Sequence, residues 1–183
     1  MPCIFMRAFI AVDIVHPGIK DVISEVRKTG AAVKFVEPEN THLTLKFLGE
    51  IDEDTAGKVG AVLKGVCSRQ GSMKARLSGV GVFPNQNYMR VLWIGLVCPG
   101  LSRLQRRLDD ALFEISIERE KNFKLHLTIG RVKTGKNKLA LINCLEALKD
   151  REIGSVKIDE VKLKKSVLTP KGPIYSDIMV AKL

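Results

Sequence analysis

The sequence predicts an α+β fold built on largely antiparallel sheets. Three observations point there. Four apolar stripes follow the i, i+3/i+4, i+7 period of a helix that buries one side. Eight strand-like runs lie around them. Several of those runs are joined by short polar turns instead of a helix after every strand, which argues against a doubly wound parallel sheet.

In chain order, Ile4 to Ile14 reads as the first strand. Arg7 and Asp13 interrupt it, and no basic segment with a small-residue cleavage site accompanies it, so it is not read as a signal peptide. Met6 is an alternative start, leaving Met1 to Phe5 as an extension without assigned function. Ile19, Val22, Ile23 and Val26 form the first helical stripe, and His16, before Pro17, is expected in an exposed loop. Val33 to Val36 and His42 to Leu48 are strands on either side of Glu37-Pro38-Glu39-Asn40. Val59, Val62, Leu63 and Val66 make the second stripe, with Asp52 or Asp54 available as its cap. Met73 to Phe83 and Tyr88 to Val97 pair around the turn residues Pro84-Asn85-Gln86-Asn87. Leu101, Leu104, Leu108, Leu112 and Ile115 form the longest stripe, with Arg103, Arg106 and Arg107 off it. Phe123 to Val132 is a strand, linked by Thr134-Gly135-Lys136-Asn137 to the fourth stripe, Leu139, Ile142, Leu145 and Leu148. Val156 to Leu168 and Ile174 to Lys182 are strands around the loop Thr169-Pro170-Lys171-Gly172-Pro173.

The chain has 183 residues, which predicts a single domain, 1–183, in two lobes that share a core. Hydrophobic residues make up 45% and charged residues 27%, the balance of a soluble globule. No apolar stretch approaches the roughly 20 residues of a membrane span. A cytoplasmic monomer is expected. The four cysteines, at 3, 67, 98 and 144, lie in apolar stretches with no C-x-x-C spacing, which reads as free thiols in a reducing compartment. Lys and Arg number 30 against 20 Asp and Glu, a net charge of +10. Such a surface attracts polyanions, and it serves plain solubility equally well.

The chemistry concentrates in two near-identical tetrapeptides, His42-Leu43-Thr44-Leu45 and His126-Leu127-Thr128-Ile129, which use two of the three histidines. In a strand, residues two apart share a face. His42, Thr44 and Lys46 therefore point to one side, with Leu43, Leu45 and Phe47 toward the core. His126 and Thr128 likewise share a face, backed by Leu125, Leu127 and Ile129. One His-x-Thr strand is a weak signal, but two copies with the same intervening leucine are not readily chance. Histidine exchanges a proton near neutral pH, so a facing pair supplies a base and an acid, and threonine hydroxyls can donate to phosphoryl oxygens. That combination suits phosphodiester cleavage without metal or other cofactor. Arg131 offers a forked donor for phosphate. Its odd offset from His126 puts it on the wrong face unless the strand breaks step, for which Gly130 is a candidate bulge residue. Lys46 is read as a phosphate or RNA contact at the edge of the site. Phe83, Tyr88, Trp93 and Tyr175 are candidates for stacking on a base, although core packing is the commoner role of aromatics. Gly79-Val80-Gly81-Val82-Phe83-Pro84 starts like a dinucleotide fingerprint, but it ends in proline and precedes a strand, so it is rejected.

These motifs, with Met6-Arg7-Ala8-Phe9-Ile10-Ala11-Val12-Asp13, the continuation Lys46-Phe47-Leu48-Gly49-Glu50, Arg90-Val91-Leu92-Trp93 and Gly130-Arg131, resemble the RNA 2′,3′-cyclic phosphodiesterase (2′-5′ RNA ligase) family of the 2H phosphoesterase superfamily. The resemblance runs from about Met6 to the C-terminus. It implies two antiparallel sheets, related by a pseudo-twofold axis, around a central cleft with the helices outside. It implies metal-independent hydrolysis of an RNA-terminal 2′,3′-cyclic phosphate to a 2′-phosphomonoester, and 2′-5′ ligation in reverse. His42 would then be the proton donor and His126 the proton acceptor. Thr44 and Thr128 would hold the phosphate, and Arg131 would match the arginine that comes after the second motif. The expected partner is an RNA with a cyclic phosphate end, tRNA fragments and nucleotides included. Two other readings stay open: a cyclic phosphodiesterase for small nucleotides or an ADP-ribose cyclic phosphate, and a non-catalytic RNA-binding protein.

Overall fold

The computed structural model describes residues 5–170 and 172–183, so Cys3, Met1 to Ile4 of the extension and Lys171 of the last turn lie outside the described residues. The order of elements is β1 (Met6–Asp13), α1 (Pro17–Lys28), β2 (Val33–Phe35), a 3-10 turn (Pro38–Asn40), β3 (His42–Ile51), α2 (Glu53–Cys67), β4 (Met73–Pro84), β5 (Met89–Val97), α3 (Pro99–Phe113), β6 (His126–Val132), α4 (Lys138–Leu148), β7 (Glu152–Ile158), β8 (Glu160–Thr169) and β9 (Gly172–Lys182). Two sheets result, ordered β3-β1-β8-β9 and β2-β6-β5-β4-β7. Every pairing between the described strands is antiparallel, as expected.

The four stripes become the four helices. In α1, Ile19, Val22, Ile23 and Val26 are buried. In α3, Leu101, Leu104, Leu108 and Leu112 are buried, each contributing about 1.5–3 kcal/mol relative to exposure. Of the two cap candidates, Asp52 fills the role: its Oδ1 accepts from the Thr55 N–H at 2.8 Å. Helices α2 and α3 pack on each other and on β3, β8 and β9, while α1 and α4 pack on β4 and β7. The helices thus back both sheets, and the sheets meet where β3 lies beside β6.

Three expectations change. Val156 to Leu168 is two strands, broken at Asp159, with β7 in one sheet and β8 in the other. The buried positions show why: Ile158 is buried, and so are Val161 and Leu163, an odd step that no single strand face accommodates. The fourth stripe is narrower than expected, because Leu139 is 71% exposed while Leu141, Leu145 and Leu148 are buried. His16 is half-buried and structural. It caps α1 with its Nδ1 accepting from the Gly18 N–H at 3.1 Å, and its ring lies against Gly154.

No helix among the described residues is long and apolar enough to cross a membrane. Cys67 and Cys98 are buried free thiols and Cys144 is half-buried. Burial pushes the Cys67 thiol up to about 11, which keeps it protonated and inert.

Candidate active site

The two histidine motifs reach the site through the same local structure. β3 pairs with β1 so that Asp13 faces His42 and Ala11 faces Thr44. β6 pairs with β5 so that Gly95 faces His126 and Trp93 faces Thr128. In both strands the leucine between His and Thr is fully buried, while His and Thr are half-buried on the opposite face. Each polar pair therefore stands on a strand whose other face is locked into the core.

The two imidazoles are held alike. His42 Nδ1 donates to the Asn40 carbonyl at 2.9 Å, and His126 Nδ1 donates to the Lys124 carbonyl at 2.7 Å. A carbonyl can only accept, so Nδ1 carries the proton in both rings and Nε2 is the nitrogen left to exchange one. A neutral ring then offers Nε2 as a base and a charged ring offers Nε2–H as an acid.

Immediately after each threonine, the strand breaks step. In β6, Thr128 faces Trp93 and Gly130 faces Leu92, so Ile129 is the extra residue of a bulge. Ile129 and Gly130 are both buried and Arg131 is exposed, which returns Arg131 to the face of His126 and Thr128. Gly130 serves a second need: a Cβ there would press on Val33 and the Lys34 carbonyl of β2. Arg131 therefore reaches the cleft. Its charge acts on Tyr175 of β9, whose hydroxyl burial pushes above the usual value while Arg131, Arg7 and Lys164 pull the other way.

The same bulge in β3 overturns the expectation for Lys46. Thr44 faces Ala11 and Lys46 faces Ile10, so Leu45 is the extra residue. Lys46 thereby turns away from His42 and is only 4% exposed. Its Nζ bonds Asp109 Oδ1 of α3 at 2.5 Å and the Glu118 carbonyl. It is neither at the edge of the cleft nor a phosphate contact. Phe47, expected in the core, is 64% exposed and lies on the cleft side against Phe9, ring centres 6.4 Å apart.

The surroundings of the two histidines differ. His42 contacts Phe9 at 5.1 Å and the edge of Tyr175 at 5.0 Å. Burial pushes its pKa below the usual value. The Asn40 carbonyl and the Asp13 carboxylate oppose that shift, and Lys164 adds to it. Asp13 is bound at 2.8 Å by Lys162 and at 3.0 Å by Lys164, and both lysines also reach Asp177. His126 packs against the edge of Phe83, centres 5.1 Å apart, and Phe83 lies on Trp93 at 5.2 Å. A side chain at Gly81 would collide with the Trp93 indole, so glycine lets that ring lie across β4. Among the described residues, no group of three or more His, Cys, Asp or Glu side chains is placed to hold a metal ion.

A family model described as LigT like Phosphoesterase matches residues 12–93 and 97–175. The chain belongs to the LigT-like phosphoesterase family. The chain is also 40% identical over 183 residues to an RNA 2′,3′-cyclic phosphodiesterase of Methanothermobacter thermautotrophicus, covering 97% of this chain and 99% of that protein. A protein of the same description from Methanocaldococcus jannaschii is 41% identical, covering 94% and 98%. Among solved structures, one of a Thermus thermophilus protein superposes with a TM-score of 0.77 at 27% identity, covering 97% of this chain and 98% of that one. The structure of E. coli LigT with 3′-AMP has the same fold, with a TM-score of 0.76 at 22% identity and coverage of 98% and 99%.

Within this LigT-like phosphoesterase, sequence reasoning missed Phe9, Asp13, Lys164 and Phe47. Only a cross-strand register places the first three beside His42, and one motif strand read alone cannot supply it. Tyr175 was visible as an aromatic, but nothing local tied it to His42.

Proposed function

We propose that the chain hydrolyses the terminal 2′,3′-cyclic phosphate of RNA to a 2′-phosphomonoester, with His126 as base and His42 as acid. The observation that carries this reading is the pair of His–Thr strands whose imidazoles are clamped identically through Nδ1. Its support from relatives is the description of two proteins about as long as this chain, 40% and 41% identical to it, as RNA 2′,3′-cyclic phosphodiesterases.

In the forward step His126 Nε2 takes a proton from water as its oxygen attacks phosphorus. The bond from phosphorus to the 3′ oxygen breaks, and His42 Nε2–H protonates that oxygen. The products are a 2′-phosphate and a free 3′-hydroxyl, with His126 charged and His42 neutral until both exchange with solvent. Thr44, Thr128 and Arg131 donate to the phosphoryl oxygens, where charge builds as water adds. In reverse, a 5′-hydroxyl would replace water and the histidines would exchange roles, giving 2′-5′ ligation. The partner is an RNA end, tRNA fragments included, and the protein acts as a cytoplasmic monomer; its buried thiols fit a reducing compartment.

The direct test uses an oligonucleotide ending in a 2′,3′-cyclic phosphate. The expected product is the 2′-phosphate, and a 3′-phosphate or no turnover would reject the assignment. A pH profile tests the proton roles. His42 must be charged in the free protein, and burial lowers its pKa, so the limb of kcat/KM that reports His42 is expected below the ordinary value of 6.5. Bound anionic phosphate favours the imidazolium, which moves the same limb upward in kcat. Asp13→Asn removes a charge that favours the imidazolium and moves the limb further down. An NMR titration in which His42 of that variant titrates higher than in the unmodified protein would contradict this.

A further inference from the structure

The two walls of the cleft handle positive charge in opposite ways. On β8, Lys162 and Lys164 are bound by Asp13 and Asp177, and Lys162 by Glu160 as well. Neither Arg131 on β6 nor Lys133 just past its end forms a salt bridge among the described residues. The attraction for an anionic strand is therefore concentrated on the β6 side.

The bulge at Ile129 makes that side continuous. It returns Arg131 to the face of His126 and Thr128, and Lys133 follows one residue past the end of β6, where alternation continued from Arg131 puts it on the same side. β2 stays alongside: Lys34 faces Arg131, and the Lys133 N–H donates to the Ala32 carbonyl at 2.7 Å. Arg131, Lys133 and Lys34 are all exposed. Side chains two apart on a strand stand about 6.6 Å from one another, so Arg131 and Lys133 form a row beyond the catalytic pair, with Lys34 beside Arg131 on the neighbouring strand. Lysine is a point charge on a flexible stem, suited to holding phosphates without reading bases.

We propose that this row is the track for the RNA strand that leads into the site, with Lys133 and Lys34 contacting phosphates of the nucleotides before the terminal cyclic phosphate. The inference rests on the phosphodiesterase reading and deepens it, because it makes the strand, and not only the terminal nucleotide, part of the substrate.

The test compares kcat/KM for a 2′,3′-cyclic mononucleotide and for an oligonucleotide with the same cyclic end, over a range of salt. The unmodified protein is expected to prefer the oligonucleotide, and to lose that preference as salt rises. The variant K34Q/K133Q is expected to lose about tenfold on the oligonucleotide at low salt, and its log–log salt slope should flatten by about 1.4, from two single-strand phosphate contacts. Turnover of the mononucleotide by the same variant should stay within about twofold, which also shows that the fold is intact. An unchanged oligonucleotide rate and slope would overturn the track. So would an equal loss on both substrates, which would place the lysines at the reaction centre. If the unmodified protein turns over the mononucleotide and not the oligonucleotide, the track fails and the cyclic phosphodiesterase chemistry stands. If it turns over neither, the phosphodiesterase reading itself fails, and the track with it.

Discussion

Replacing His126 by alanine is expected to lower kcat on a 2′,3′-cyclic phosphate end by about 10²–10⁴-fold, with KM changed far less. Under the proposed mechanism alanine removes the base that takes the proton from water, while Thr44, Thr128 and Arg131 remain to bind the phosphate. The fold should survive, because Leu127 and Ile129 on the far face of β6 anchor the strand and are fully buried. His42→Ala is expected to cost a similar factor through the departing 3′ oxygen. The double variant should be little worse than either single one, because in the proposed mechanism the two imidazoles act as a unit and losses of groups that act as a unit do not add. Single-turnover rates on a labelled oligonucleotide, with circular dichroism as a control for folding, measure all three. A His126→Ala protein that keeps more than about a tenth of the rate would remove His126 from the role of base.

Much of this site is legible in the chain because it depends on short-range periodicity. The repeat of His-Leu-Thr, with alternation, is enough to place His42 with Thr44 and His126 with Thr128, and the apolar stripes give all four helices. The course of each strand beyond its threonine is less legible. A bulge is a property of two strands, set by where β1 continues against β3 and β5 against β6, and the bulged strand alone does not record it. In β6 the odd offset of Arg131 and the glycine before it gave a local hint. In β3 there was none: Lys46-Phe47 continues a regular polar–apolar alternation, yet the structure buries the lysine and exposes the phenylalanine. The break at Asp159 was readable in principle from the shift in apolar parity between Ile158 and Val161.

The paired bulges also give the two histidines of a near-symmetric scaffold unlike surroundings, as the proposed acid and base require. At corresponding places, β6 has Gly130 and Arg131 where β3 has Lys46 and Phe47. The His126 side thereby gains the exposed cation Arg131. The His42 side gains Phe47, which packs on Phe9 next to the imidazole that Phe9 and Tyr175 contact. Burial disfavours the charged His42 ring, which under the proposed mechanism makes it the readier proton donor once an anionic substrate has restored its charge.

Lys46 is where the same bulge has its largest consequence for stability. Lys46→Ala is expected to destabilise the fold by about 3–5 kcal/mol, because it leaves the buried Asp109 carboxylate without its counter-charge. For a chain of this length that is a fall in Tm of roughly 6–20 °C, readable by calorimetry. The loss should extend to catalysis. Lys46 also bonds the Glu118 carbonyl, and Asp109 Oδ2 accepts from the Glu120 N–H at 2.9 Å, so the pair ties β3 and α3 to the segment that runs into β6 and His126. The double change Lys46→Met with Asp109→Leu removes both charges and fills similar volume, and it is expected to recover most of the Tm. It cannot restore the two backbone contacts, so its kcat should remain below that of the unmodified protein. Full recovery of kcat along with Tm would mean that the buried pair only balances charge, and a Lys46→Ala protein within 1 °C of the original Tm, roughly 0.5 kcal/mol or less, would mean that it does not do even that.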